Sequence, residues 1–289
     1  MTIGLHIWPD NSRVVGLITK IIIILLVCLS FVSLSPCEAL PEDVTIMGSS
    51  TVMPLAEAAA EVFNLEQNDY LVSVTAGGTG AGILGIVERK YDIAMASRAI
   101  TEEEKQMFGD SFQEFKIGMD GISIAVSDEI YQEGVRDLSR DQVMRIYSGE
   151  ITNWNEVRGP DKDIYVISRE YGSGTRDDFN EAVIGDIGTE SPGVDTVAYS
   201  GAEVKTAISG SDRAIGYLGF NYLGGGVQGI AFNGIMPSYE NIKLDFYELK
   251  RNLYFYTFGD PTPGARAFID FILGPEGQKI AAEEGFIAN

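Results

Sequence analysis

The sequence predicts an α/β protein with layered helices and largely parallel sheets. Three observations carry this. Short β-rich apolar runs alternate with segments of helical periodicity along the chain. Tandem repeats, low-complexity stretches and long linkers are missing, so one or two compact bodies are expected. Hydrophobic residues make up 45% of the 289 residues and aromatics 10%, enough to build a substantial core and to exclude a disordered chain.

The elements follow in order. Residues 45–47 read as a short strand and 55–63 as a helix with Leu55, Ala59, Val62 and Phe63 on one face. A β-rich run at 70–75 leads into the glycine-rich 77–82 and a helical segment to Arg89. Residues 91–96 form a buried strand. Thr101 with Glu104, and Ser139 with Gln142, have capping-box spacing and open two further helices, the second with Val143, Ile146 and Tyr147 on its apolar face. Residues 115–118 and 122–126 are extended. A strand at 163–168 precedes Gly172-Ser173-Gly174 and a helix through 180–183. Residues 202–208 are helical, and 215–218, 229–232 and 252–257 are extended. The helix at 263–273 is stopped by Gly274 and Pro275. Trp154 reads as a core anchor, and Tyr254-Phe255-Tyr256 as a buried strand.

The N-terminal forty residues have a separate logic. Arg13 and Lys20 precede an uncharged run at 21–34, and Cys37-x-Ala39 has the small-x-small pattern of a signal-peptidase site. The run is shorter than the roughly 20 residues a bilayer span needs. Residues 1–40 are therefore expected to be a signal peptide or an N-terminal anchor of an exported, periplasmic or cell-surface protein. Pro36 directly before Cys37 suits a lipoprotein cysteine poorly.

This segment contains both cysteines, Cys28 and Cys37, and the single histidine, His6. A Ser-His-Asp triad, a Cys-His pair and a histidine- or thiolate-ligated zinc site are excluded from the remainder. Neither catalytic residues nor a metal or cofactor are expected. The net charge of −21 lies wholly beyond residue 40, because Arg13 and Lys20 offset Asp10 and Glu38. Such acidity excludes nucleic acid as a main partner, which needs clustered Lys and Arg. It does not exclude a small anion held by local donors.

Three turns provide such donors. Gly48-Ser49-Ser50-Thr51, Gly77-Gly78-Thr79-Gly80 and Gly172-Ser173-Gly174-Thr175 each set glycines and hydroxyls where a strand gives way to a helix. Unpaired N–H groups there attract oxyanions, and Ser and Thr hydroxyls donate without adding charge. Arg98 at a strand end and Arg169 before the third turn add bidentate donors. Gly80-x-Gly82-x-x-Gly85 also matches a dinucleotide fingerprint, but the other two turns have no place in that reading.

These turns in this order, with Asp92-Ile93-Ala94-Met95-Ala96-Ser97-Arg98, Ile151-Thr152-Asn153-Trp154, Arg169-Glu170-Tyr171-Gly172-Ser173-Gly174-Thr175-Arg176, Ala214-Ile215-Gly216-Tyr217 and Phe268-Ile269-Asp270-Phe271-Ile272, resemble the phosphate-binding proteins of the Pst-type ABC importer. The resemblance spans essentially the whole chain after residue 40. It implies a type II periplasmic-binding-protein fold, with two α/β lobes joined by two crossing strands: 41–121 plus 226–289 as lobe 1 and 122–225 as lobe 2. It further implies a monomer that captures inorganic phosphate and delivers it to membrane permease subunits. Sulfate, molybdate or an exported phosphohydrolase are the alternatives.

By position, the phosphate ligands are Ser50, Thr51 and Val52 (through its N–H), Thr79, Arg169, Ser173, Gly174 and Thr175, with Arg98 added from the strand end. The best-known members of the family have Asp where this chain has Arg98 and Tyr171. Phosphate near neutral pH keeps a proton that sulfate lacks, so a buried carboxylate acceptor separates the two. Asp120, or else Glu170, is expected to fill that role here.

Overall fold

The computed structural model of the protein describes residues 40–289; all but the last residue of the export segment expected at 1–40, with its cysteines and histidine, lies outside them. From Pro41 to the C-terminus the chain forms one compact unit. In chain order, β1 (Glu42–Gly48), α1 (Met53–Glu66), β2 (Tyr70–Ala76), α2 (Thr79–Val87), β3 (Ile93–Ala96) and α3 (Glu102–Phe108) lead into the long β4 (Phe112–Ser127). Then come α4 (Asp128–Gln132), β5 (Asp137–Leu138), α5 (Arg140–Tyr147), β6 (Tyr165–Arg169), α6 (Gly174–Phe179), β7 (Thr196–Ala198), α7 (Gly201–Ser209) and β8 (Ala214–Gly219). The remainder is β9 (Val227–Gly229), β10 (Ala231–Phe232), α8 (Tyr239–Lys243), β11 (Lys250–Phe258), α9 (Pro263–Leu273) and α10 (Pro275–Glu283).

The main sheet runs β2-β1-β3-β11-β4-β8-β6-β7, with β9 also on β4. Its wings are parallel, as expected: β1 pairs with β2 and β3, and β6 with β7 and β8. Its centre is antiparallel, which the alternation of elements does not predict. The two extended segments expected at 115–118 and 122–126 are one strand. Up to Gly121, β4 pairs with β11, and from Ile122 it pairs with β8 and β9. The chain thus crosses from one wing to the other inside a single strand and returns at Leu249, whose carbonyl accepts from Ile122 N at 2.6 Å.

Each wing has its own core. On one side Val44, Ile46, Leu55, Phe63, Phe255 and Phe268 pack together; on the other, Ile124, Tyr147, Trp154, Phe179 and Tyr217 do. Burial of apolar area at about 25 cal/mol per Å² is the main stabilising term in both. Residues 227–249, assigned from sequence to lobe 1, pack with the second wing. Ile230, Phe232, Ile242, Tyr247 and Leu249 are in its main cluster and Val227 in a neighbouring one. The physical reason is β9, which pairs with the Ala125–Ser127 end of β4 and carries its flanks there.

Local signals largely hold. Thr101/Glu104 and Ser139/Gln142 are complete capping boxes. Trp154 is fully buried, its Nε1 donating to Arg213 O at 2.9 Å. Tyr254, Phe255 and Tyr256 are buried in β11. The helix α9 ends at Leu273 before Gly274, as expected, and Pro275 then starts α10 at its first turn, where a missing N–H costs nothing.

Candidate oxyanion site

All three Gly/Ser/Thr turns converge where the wings meet. Gly48, at φ 147°, ends β1 against β3, and a Cβ there would stand 2.1 Å from Met95 O. Ser49 accepts from Thr51 N through its side chain at 3.2 Å and donates to Met95 O at 2.9 Å through its own N, which fixes the first turn. Tyr222 clamps it from the second wing, donating to Ser50 O at 3.0 Å. Across the meeting plane, Thr51 Oγ1 lies 3.1 Å from Thr175 Oγ1, and Gly80 N donates to Gly172 O at 3.1 Å. Thr79 Oγ1 accepts from Ser97 N at 3.3 Å and lies 3.4 Å from Ser97 Oγ. Gly174 faces this pair: a Cβ on it would stand 2.6 Å from both hydroxyl oxygens.

Six of the expected ligands therefore come together: Ser50, Thr51, Thr79, Ser173, Gly174 and Thr175. The Gly174 and Thr175 amides, in the first turn of α6, find no acceptor among the described residues, whereas Ser173 Oγ accepts from Arg176 N at 3.4 Å. Helix α6 runs on without a break into the π-helical turn Asn180–Ile184. Arg169 also reaches the site. Its Nη2 donates to Ser50 Oγ at 3.2 Å, while Glu170 holds Nε and Nη2 at 2.9 Å each.

Three expected ligands are otherwise engaged. Val52 N donates to Ser49 O at 3.1 Å, so its amide closes the turn. Arg98 spends its guanidinium on carboxylates: Nη1 and Nη2 meet the two Glu104 oxygens at 2.9 Å each, and Nε meets Asp177 Oδ2 at 2.7 Å. Burial works against the Arg98 charge, but those carboxylates outweigh it and raise its pKa. Asp120, fully buried, is the anchor of another arginine. Its Oδ2 accepts from Arg251 Nη2 at 2.8 Å and Nε at 3.2 Å, and its Oδ1 from Phe220 N at 3.2 Å. Burial pushes the Asp120 carboxyl up, against the pull of Arg251.

Arg251, in β11, is the functional residue the sequence does not reveal. It donates from Nη1 to Thr175 Oγ1 at 2.8 Å and from Nη2 to Thr51 Oγ1 at 3.3 Å, tying the first and third turns together. A second addition is Asp178, whose Oδ2 is buried without a hydrogen-bond partner, 3.6 Å from Arg251 Nη1. Burial raises its carboxyl to about 7, the arginines opposing. Arg176 stacks its guanidinium 3.7 Å from the Tyr171 ring centroid. Arg98, Arg169, Arg176 and Arg251 gather here with Glu104, Asp120, Glu170, Asp177 and Asp178, so four guanidiniums and five carboxyls nearly balance at this place in a strongly acidic chain. Among the described residues, no group of three or more His, Cys, Asp or Glu could hold a metal ion.

Fold and site together define a two-winged oxyanion-binding protein, and comparison with known proteins places it. Residues 38–276 match the PBP superfamily domain. Phosphate-binding protein PstS of Bacillus subtilis is 32% identical over 247 residues, spanning 85% of this chain and 80% of that protein. PstS of Borreliella burgdorferi is 30% identical over 282 residues, spanning 93% and 98%. A solved phosphate ABC transporter substrate-binding protein with bound phosphate from Clostridium perfringens superposes with TM-score 0.78 at 34% identity, covering 86% of this chain and 100% of its own. The chain belongs to the phosphate-binding protein PstS family of that superfamily. Its fold is the two-lobed type II periplasmic-binding fold, with β4 and the return into β11 as the crossing strands. The glycine motif at 80–85 is no dinucleotide fingerprint here, since Gly80 N is taken by Gly172 O of the facing turn.

Proposed function

We propose that the protein is an extracytoplasmic solute-binding protein. It captures inorganic phosphate between lobes of about 41–121 plus 250–289 and 122–249, and hands it to an ABC importer. The observation that carries this reading is the convergence of the turns: Thr51 and Thr175 hydroxyls lie 3.1 Å apart, with Thr79, Ser97 and the free Gly174 and Thr175 amides around them. Hydroxyls, amides and arginines in a site shielded from water suit a small tetrahedral oxyanion, and distant surface carboxylates are screened.

In this reading Ser50, Thr51, Thr79, Arg169, Ser173, Gly174 and Thr175 hold the anion, and Arg251 positions the two threonines. Arg98 acts as a clasp between lobes, joining Glu104 on its own side to Asp177 on the other. Closure around the ligand presents one shape to membrane permease subunits, and a monomer suffices. The N-terminal segment serves export, as a cleaved signal or an anchor; among residues 40–289 no helix is long and apolar enough to cross a membrane. Titration calorimetry with phosphate, arsenate, sulfate and molybdate tests the ligand, and a phosphatase assay tests the hydrolase alternative. Saturable phosphate binding without turnover is expected; turnover, or equal affinity for sulfate, would contradict it.

A further inference from the structure

The phosphate reading leaves one chemical demand unmet. Monohydrogen phosphate carries a hydroxyl whose hydrogen needs an acceptor, while amides and guanidiniums only donate and the Ser50, Thr51, Thr79 and Thr175 hydroxyls already accept from Arg169, Arg251 or Ser97 N, leaving their hydrogens to donate. Most carboxylates around the cleft are already in use. Both Glu104 oxygens accept from Arg98, and both Glu170 oxygens from Arg169. Asp177 Oδ2 is held by Arg98 Nε, and both Asp120 oxygens are held by Arg251 or Phe220. Asp178 stands apart: its Oδ2 is buried and accepts nothing, and Arg251 Nη1 at 3.6 Å is beyond hydrogen-bond reach.

We propose that Asp178 is the residue that accepts the hydrogen of bound monohydrogen phosphate and thereby separates phosphate from sulfate. This rests on the phosphate reading above. Placement supports it. Asp178 follows Gly174 by four residues and Thr175 by three, so the three share a face of α6. That face turns to the Thr79 and Ser97 hydroxyls, as the 2.6 Å approach at Gly174 shows. A helical side chain leans toward the N-terminus of its helix, which carries the Asp178 carboxyl back toward the turn. Asp120 and Glu170, the acceptors expected from sequence, are committed to Arg251 and Arg169 respectively, so the acceptor comes from α6 instead.

The charged and titratable groups facing Asp178 are Arg251 and Tyr254 from β11, Arg98 beyond β3, and Asp177 from α6. Burial raises its carboxyl to about 7, Arg251 and Arg98 pull it down, and Asp177 adds to the rise. Above that value Asp178 is an acceptor and repels sulfate. Below it, the protonated carboxyl is a donor that sulfate can use. Sulfate does not titrate in this range and the only histidine is His6, while Asp120 and Asp177 are also raised by burial, so comparison of wild type with D178N is what isolates the Asp178 contribution.

The experiment is calorimetric titration of the whole protein, wild type, D178N and D178E, with inorganic phosphate and sulfate at pH 8 and pH 5.5. Wild type is expected to prefer phosphate strongly at pH 8 and to bind sulfate at least about tenfold more tightly at pH 5.5. D178N is expected to lose about tenfold or more in phosphate affinity at pH 8 and to bind sulfate with little pH dependence; D178E restores the wild-type pattern. Phosphate binding by wild type with a flat sulfate profile overturns the proposal, and so does a folded D178N that keeps phosphate affinity and sulfate exclusion. Should D178N not fold, D178S takes its place in the same titrations. A wild type that binds no phosphate at all strikes the functional reading itself.

Discussion

Two arginines from one lobe reach consecutive aspartates of α6 in the other, and their surroundings differ. Arg98 meets Asp177 at 2.7 Å and closes its remaining donors on Glu104. Arg251 meets Asp120 at 2.8 Å and the Thr51 and Thr175 hydroxyls, while Asp178 at 3.6 Å is left without a hydrogen bond. The first cluster has its charges matched and its bonds made, which suits a mechanical clasp. The second holds an unused acceptor and two turn hydroxyls under one guanidinium, which suits recognition. Neighbouring residues of the same type can thus take different roles, decided by which donors their environment has already spent.

Breaking the recognition cluster should have the largest effect. Arg251→Ala leaves Asp120, whose side chain is fully buried, without its counter-ion. A loss of about 3–5 kcal/mol in stability is expected by denaturant unfolding, with phosphate affinity down about a hundredfold in titration.

The pH dependence of the unliganded protein comes next. Asp178 is raised from 3.8 to about 7 on folding, so the folded state binds more protons than the unfolded one. Its contribution is fully present below about pH 4 and is lost as pH rises through 7, at most ~4 kcal/mol in all. Burial raises Asp120 and Asp177 in the same direction. Urea unfolding at pH 5 and pH 8 should show the higher stability at pH 5, with a smaller difference in D178N.

The parts of this comparison visible in the sequence are the local ones. Ser50, Thr51, Thr79 and the 173–175 turn could be read because each sits at a strand-to-helix junction with glycine beside it. The capping boxes and the Trp154 anchor are local as well. Arg251 could not be read: it lies at the polar start of its strand, between Lys250 and Asn252 and 76 positions from Thr175, and only the antiparallel centre of the sheet brings them together. That centre was itself hidden, since strand–helix alternation signals the parallel wings and says nothing about the strands that cross. Arg98 was visible as a strand-end cation, but its role depends on Glu104 and on Asp177, which is 79 residues away. Residues 227–249 pack with the second wing because pairing of β9 with β4, not sequence proximity, decides which core takes them.

Two smaller effects would sharpen the contrast between clasp and recognition. Gly174→Ala places a methyl 2.6 Å from Thr79 Oγ1 and Ser97 Oγ, so closure is hindered while each lobe keeps its core. About 1–3 kcal/mol of overpacking charged to the closed form should weaken phosphate about tenfold or more with little change in the unfolding midpoint. Asp177→Asn removes one charged bond from Arg98 but leaves Glu104 in place. A loss of about 1–2 kcal/mol is expected, seen in stopped-flow as faster phosphate release, with the phosphate-to-sulfate ratio unchanged. A changed ratio would mean that the Arg98 cluster takes part in recognition and the contrast would fail.

The central claim is that the converging turns form a phosphate site, and calorimetric titration of the purified protein at pH 8 tests it most directly. Saturable one-to-one binding of inorganic phosphate, undisturbed by an excess of sulfate, is the predicted result. No heat with phosphate, or full competition by sulfate, would contradict it.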